Sequence, residues 1–286
     1  MASSEDRCLL AVHAHPDDEA SKGAATVARY HADGVHCVLV CCTGGEEGDI
    51  LNPALANDEV RARLPEIRAE ELAASTKIIG YDEVVMLGYR DSGMPGTEAN
   101  ARPENFANAP LEEAVGRMVG VIRRTRPQVL LTYPEDQRGY PHPDHLRVHE
   151  VSMAAVDAAA DPERYAEAGP PWQVSKIYYS AWSRARLFAM HEKFLELGLK
   201  SPYDEKWFER PAQDDHITTR VPLGEHASVR RRALIAHATQ VDPTSPFWFG
   251  LPDDVADEVY PWEDWVLARS LVETSLPEDD LFAGMA

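Results

Sequence analysis

The chain has 286 residues, 44% hydrophobic and 27% charged, enough to bury a large core as one sizeable domain or as one domain with a smaller appendage. Its 48 acidic and 28 basic residues leave a formal charge of −20, a field that repels nucleic acid and anionic membranes and says little about substrate. No apolar run approaches the ~20 residues that cross a bilayer, and the polar start MASSEDRC lacks a secretory leader pattern, so a cytoplasmic location is expected.

The first half alternates strand and helix signals. CLLAVHAH (8–15) reads as a buried strand, and ASKGAATVARYHADG (20–34) as a helix closing on Gly34. A second strand, VHCVLVCCTGG (35–45), stops in glycines. A helix over 66–80 leads to the strand EVVMLGY (83–89), and one over 110–126 leads to the strand QVLLTYP (128–134). A further helix starts near Pro143 and runs to about Ala160. Strands separated by helices of this length predict a doubly wound, Rossmann-like, mostly parallel α/β sheet over residues 1–160. The turn G-G-E-E-G (44–48) is no dinucleotide fingerprint, and its two glutamates would repel a pyrophosphate. Beyond residue 161 the pattern loosens. A linker-like stretch (161–172) precedes a strand (174–182), a helix (183–198), a strand (216–223) and a helix (226–240). This smaller α+β portion, 161–286, is expected to wall a cleft as part of one continuous domain. Cys8, Cys37, Cys41 and Cys42 fall in apolar runs outside any C-x-x-C pair and read as buried reduced thiols.

Two short stretches echo each other at strand-to-helix junctions: His-Pro-Asp-Asp at 15–18 and His-Pro-Asp-His at 142–145. Proline keeps the preceding residue extended and suits the first helical position. His15 and His142 are therefore expected at N-cap-like positions, with Asp18 and His145 in the first helical turns. In an open α/β sheet the ligand crevice lies at the carboxyl ends of the strands. Two imidazoles and a carboxylate with one open position suit a catalytic metal of zinc type. His15, Asp18 and His145 form the natural triple. His13, two residues before His15, and His149, one turn after His145, are further candidates. An H-P-D turn can also be a plain helix start, its aspartate favouring the positive end of the helix dipole.

AHPDDE (14–19) with HPDH (142–145) resembles the LmbE-like family of zinc-dependent amidases and deacetylases, which includes the mycothiol enzymes of actinobacteria. HAHPDDEASKGAAT (13–26), TGGEEGDILNPAL (43–55), GYPHPDHLRVHEVS (139–152) and AHATQVDP (236–243) are most similar to the branch that hydrolyses mycothiol S-conjugates. The resemblance implies that His15, Asp18 and His145 hold zinc, with iron(II) the other occupant. It makes Asp17 the general base and His142 the group that stabilises the tetrahedral species and protonates the departing amine, as a protonated imidazole can. Asp144 either orients an imidazole or serves the helix start. Tyr140 either assists the oxyanion or packs as a buried tyrosine. Glu19 either braces the site or favours the first helical turn.

The implied substrate-binding residues are Lys22, Glu47, Arg68 and Asp91; each alone could equally be a surface charge. Glu47 stands where many amidases of this branch carry arginine, and the loop 89–110 looks more like the deacetylase branch. The implied reaction cleaves the amide between an S-substituted cysteine and glucosaminyl-inositol, in detoxification or in antibiotic-intermediate processing. Deacetylation of N-acetylglucosaminyl-inositol is the alternative within the same chemistry. A metal-stabilised binding protein without catalysis is the alternative outside it, disfavoured because a non-ligand Asp17 has no purpose in a closed site. The expected partner is a small-molecule thiol conjugate of glucosaminyl-inositol, and assembly into a homo-oligomer stays open.

Overall fold

A computed structural model of the protein describes residues 7–137, 140–210 and 214–285. The start of the chain read above for a leader lies, through Asp6, outside the described residues, as does Gly139 at the head of the quoted stretch 139–152. Among the described residues seven strands form one sheet: β1 (Cys8–His13), β2 (His36–Thr43), β3 (Glu83–Tyr89), β4 (Val129–Thr132), β5 (Lys176–Ala181), β6 (Thr219–Pro222) and β7 (Trp262–Ser270). Their order is β3-β2-β1-β4-β5-β7-β6. The first five are parallel, and β7 pairs antiparallel with both β5 and β6. The helices in chain order are α1 (Asp18–Ser21), α2 (Ala24–Ala32), α3 (Asp58–Ala62), α4 (Leu64–Ile79), α5 (Leu111–Thr125), α6 (Pro143–Ala160), α7 (Arg184–Glu196), α8 (Glu205–Glu209), α9 (Val229–Ala236), α10 (Pro246–Phe249) and α11 (Asp253–Val259).

The central strands are apolar on both faces because both faces are covered. Leu10, Val12, Val38 and Val40 pack with Val115, Met118 and Val148 of α5 and α6. Leu9, Ala11, Leu39 and Cys41 face Val27 of α2, Leu72 of α4 and Ala233 of α9 on the other side. All four cysteines are buried and unpaired. The chain leaves β1 towards β2 and later returns to its other side as β4. The carboxyl ends of β1 and β4 thus meet at the switch point, where open α/β sheets bind ligands. No helix among the described residues is long and apolar enough to cross a membrane.

Two expectations are corrected. The helix read over 20–34 is broken: α1 ends at Ser21 and α2 begins at Ala24, with Gly23 between them at φ 89°. A Cβ on Gly23 would lie 2.8 Å from the Trp265 ring, so the break lets β7 approach. That strand had no counterpart in the sequence reading. Its opening carries Glu263 and Asp264, which hide the apolar pattern yet are buried. Glu263 accepts from the amide and hydroxyl of Thr26 at 3.0 and 2.6 Å, and Asp264 accepts from Ser183 Oγ at 2.6 Å.

Candidate active site

Both echoed motifs lie beyond the ends of β1 and β4 and face each other. His142 is the N-cap of α6, its Nδ1 accepting from the Asp144 amide at 3.2 Å, with Pro143 opening the helix. The first motif departs from the expected geometry. β1 ends at His13, and the N-cap of α1 is Asp17, at φ 121° and ψ −25°, so His15 precedes the helix by more than one position. A non-glycine residue held there stores roughly 1–3 kcal/mol of strain and persists only where its surroundings over-determine it.

The ligand atoms of His15, Asp18 and His145 lie within 4.8 Å of one another and all three residues are buried. His15 Nδ1 is 3.4 Å and His145 Nε2 3.3 Å from Asp18 Oδ2. A second group shares His15 and adds Asp91, His142 and Asp144 within the same span. His15 Nε2 lies 3.1 Å from Asp144 Oδ2 and 3.5 Å from Asp91 Oδ1. Two imidazoles and one carboxylate are the donor set of a zinc-type site. The carboxylates on the far nitrogen of His15 are the outer partners that fix a ligating imidazole. Asp144, fully buried, is itself held by the Ser92 hydroxyl and by the Ser92 amide at 2.9 Å.

Electrostatics follow from this crowding. Burial opposes the charge on Asp18, but Lys22 and His145 outweigh it and hold the carboxyl well below its ordinary value. Burial would lower His15, yet its bonds to Asp144, Asp18 and Asp91 raise it well above the usual imidazole value. Burial lowers His145. Burial, then the neighbouring His15, brings His142 down to about 4. His142 Nδ1 accepts from the Asp144 amide, which leaves Nε2 as the ring nitrogen able to donate. Burial raises Asp17, an effect that Arg68 partly offsets.

Arg68, only 2% exposed, does not line the cleft. Its Nη2 reaches Asp17 Oδ2 at 3.1 Å and the Pro16 carbonyl, and its Nη1 reaches the Gly45 carbonyl. Gly45, at φ 68°, leaves that room: a Cβ there would sit 2.3 Å from Arg68 Cζ. Lys22 bonds Asp18 and lines the cleft beside His145. Glu47 accepts from Arg90 at 2.8 Å and Arg102 at 3.0 Å. Glu47 and the loop 89–110, the two departures from the amidase pattern, thus meet in one ion-pair cluster. Asp91 is buried, accepting from the Gly93 amide at 2.8 Å. Tyr140 is 55% exposed, not a buried packing residue, with its ring 5.3 Å from that of His145.

His13 and His149 belong to neither ligand group. His13 Nδ1 meets the Tyr133 hydroxyl at 2.9 Å, and burial lowers it to about 4. His149 Nδ1 meets the Tyr133 carbonyl at 3.0 Å. Sequence reasoning missed Ser92, Ser75 and His237. The first two carried no signal. His237 stood in the quoted stretch AHATQVDP with no role attached.

Beside Lys22, Tyr140 and His145 the cleft opens into a chamber of about 650 Å³. Its far wall comes from the C-terminal portion: Trp182, Leu187, Trp207, Phe247 and Trp248.

A sheet of this topology with a His/Asp ligand cluster at its switch point is the frame of a metal-assisted hydrolase. The family model described as PIG-L, GlcNAc-PI de-N-acetylase, matches residues 10–156. The chain is 46% identical to a mycothiol S-conjugate amidase of Streptomyces coelicolor, over 97% of each chain. It is 42% identical to a 1D-myo-inositol 2-acetamido-2-deoxy-alpha-D-glucopyranoside deacetylase of Streptomyces avermitilis, over the full length of both. Among solved structures, the N,N'-diacetylchitobiose deacetylase of Pyrococcus horikoshii shares the fold, with a TM-score of 0.61 at 16% identity over 91% of this chain and 83% of that one. The chain belongs to the PIG-L family, known also as LmbE-like, and is a hydrolytic enzyme acting on a C–N amide bond.

Proposed function

We propose that the enzyme hydrolyses the amide joining an S-substituted cysteine to glucosaminyl-inositol, releasing an N-acetylcysteine S-conjugate and glucosaminyl-inositol. The observation that carries this reading is the chamber of about 650 Å³ beside His145 and Lys22, walled by aromatic rings. It is far larger than an acetyl group and suits an apolar S-substituent. A cytoplasmic detoxifying or antibiotic-processing role accords with such a substrate.

His15, Asp18 and His145 would hold the metal, zinc or iron(II), which supplies Lewis acidity at the scissile amide. Asp17, no ligand in this scheme, takes the proton of the attacking water. The Nε2–H of His142 and the exposed Tyr140 hydroxyl are donors for the developing oxyanion. Asp17 then returns a proton to the departing amine. Lys22, freed from Asp18, is suited to a polar group of the substrate. Glu47 and Asp91, on the side of the cluster towards the loop 89–110, are the candidates for the sugar hydroxyls, and Arg68 contributes by holding Asp17.

A second reading, deacetylation of N-acetylglucosaminyl-inositol, draws on the cluster of Glu47 with Arg90 and Arg102 at the loop that departs from the amidase pattern. The two separate in an amine-release assay on zinc-loaded and chelator-treated enzyme. We expect zinc-dependent release mainly from a mycothiol conjugate with a bulky aromatic S-substituent. Faster release from the acetylated sugar assigns the deacetylase reaction instead, and no release from either discards both.

A further inference from the structure

The backbone of Asp17 is twisted at φ 121°, and its peptide N–H donates to Glu19 Oε2 at 2.8 Å. Glu19 is fully buried. Its other oxygen accepts from Ser75 Oγ at 2.6 Å and meets His237 Nε2 at 2.5 Å. Ser75 comes from the C-terminal half of α4, and His237 from the turn closing α9, 218 residues from Glu19 in sequence. Ser75 and His237 are likewise 0% exposed, so none of the three touches a substrate in the cleft.

His237 Nδ1 has no hydrogen-bond partner among the described residues. A buried ring with one orphaned nitrogen is a costly core residue. What the imidazole supplies and a leucine would not is the contact to Glu19. The adjoining residues fix the turn that presents it: the amide and hydroxyl of Thr239 both donate to Glu71 of α4 at 2.7 Å.

We infer that Glu19, Ser75 and His237 are positioning residues for Asp17, an inference that rests on reading Asp17 as the general base. Glu19 fastens the twisted peptide from below while Arg68 fastens its carbonyl neighbour and carboxylate from the side. His237 and Ser75 fix the Glu19 carboxylate in turn. The C-terminal portion thereby reaches the reacting centre through its interior as well as walling the cleft.

The test uses full-length, zinc-loaded enzyme and whichever of the two amide substrates the wild type turns over. His237→Leu should lower kcat on the order of 10-fold to 100-fold with KM nearly unmoved, since small misplacement of a reacting group has effects of that size. Zinc content should stay at the wild-type value, and the visible spectrum of the cobalt-substituted protein should be unchanged. His237→Gln, which can return an N–H to Glu19, should restore most of the rate. Ser75→Ala, a milder change that keeps the test usable should His237→Leu fail to fold, should lower kcat a few-fold. A lower melting temperature with wild-type kcat in these variants would make the cluster merely structural. An altered cobalt spectrum or lost zinc would place its effect on the ligands. Either result overturns the inference. Asp17→Asn measured alongside keeps the underlying reading distinguishable: if that variant retains kcat, Asp17 is not the base.

Discussion

His-Pro-Asp opens both corners of the site, yet the two fold by different means. At 142–145 the letters make an ordinary helix start: His142 caps, Pro143 leads, and an 18-residue helix follows. Local chemistry suffices there, because proline presets the backbone and the imidazole satisfies an otherwise unpaired amide. At 15–18 the helix is four residues long, its N-cap side chain makes no capping bond, and the cap residue is strained. That corner is held by Arg68 of α4 and by Glu19, itself fixed by Ser75 and His237 from α4 and the end of α9. One corner is written locally; the other is imposed by partners distant in sequence.

Variants can break that contrast. Asp17→Asn should have the largest effect, roughly 10²- to 10⁴-fold in kcat, at wild-type zinc content and melting temperature; steady-state kinetics and metal analysis check both halves. A comparably large effect, on stability alone, is expected away from either corner. Lys176 and Glu278 form a buried ion pair at 2.5 Å, with Tyr178 and Thr219 on the other carboxylate oxygen at 2.6 and 3.1 Å. Glu278→Gln strands the ammonium and should cost about 3–5 kcal/mol, read as a fall of about 6–15 °C in melting temperature, while kcat at 25 °C stays near wild type.

The same pair sets a pH signature. Burial disfavours the Glu278 carboxylate, but Lys176, Thr274 and Tyr178 overcome this and hold its pKa below the ordinary 4.5. A depressed folded value contributes stability above pH 4.5, lost as pH falls through the folded value. The melting-temperature gap between wild type and Glu278→Gln should therefore be full near neutrality and narrow on acidification.

Gly45→Ala comes next. Its Cβ would overlap the Arg68 guanidinium, freeing Asp17 and lowering kcat about 10-fold or more with little change in KM. The matching change at the other corner, Pro143→Ala, should have the smallest effect. A stiff residue is lost where the backbone already fits it, at a cost under about 1 kcal/mol, visible as a small melting shift with kcat intact. Equal damage from the two would erase the distinction between a local and an imposed corner.

Much of this was legible in the residues. The helix over 143–160 follows from Pro143 and its apolar spacing, and β3 from an uninterrupted apolar run. The convergence of His15, Asp18 and His145 follows from two motifs at neighbouring strand ends. What escaped were features whose cause lies elsewhere in the chain. Gly23 breaks a helix because Trp265 needs the space. Glu263 and Asp264 disguise β7 because their partners, Thr26 and Ser183, lie on other elements. Arg68 read as a substrate contact or else a surface charge, since nothing near it in sequence announces the Gly45 carbonyl or Asp17.

The sequence by itself determined the alternation of strand and helix and the placing of two histidine-bearing corners between strand and helix, because periodicity and proline-led turns act over a few residues. Only the tertiary structure decided that Asp17 is the strained cap, that the second nitrogen of His15 meets Asp144 and Asp91, and that His237 reaches Glu19. Those are contacts between buried polar groups, and such groups are stable only where a partner brought by another element completes them.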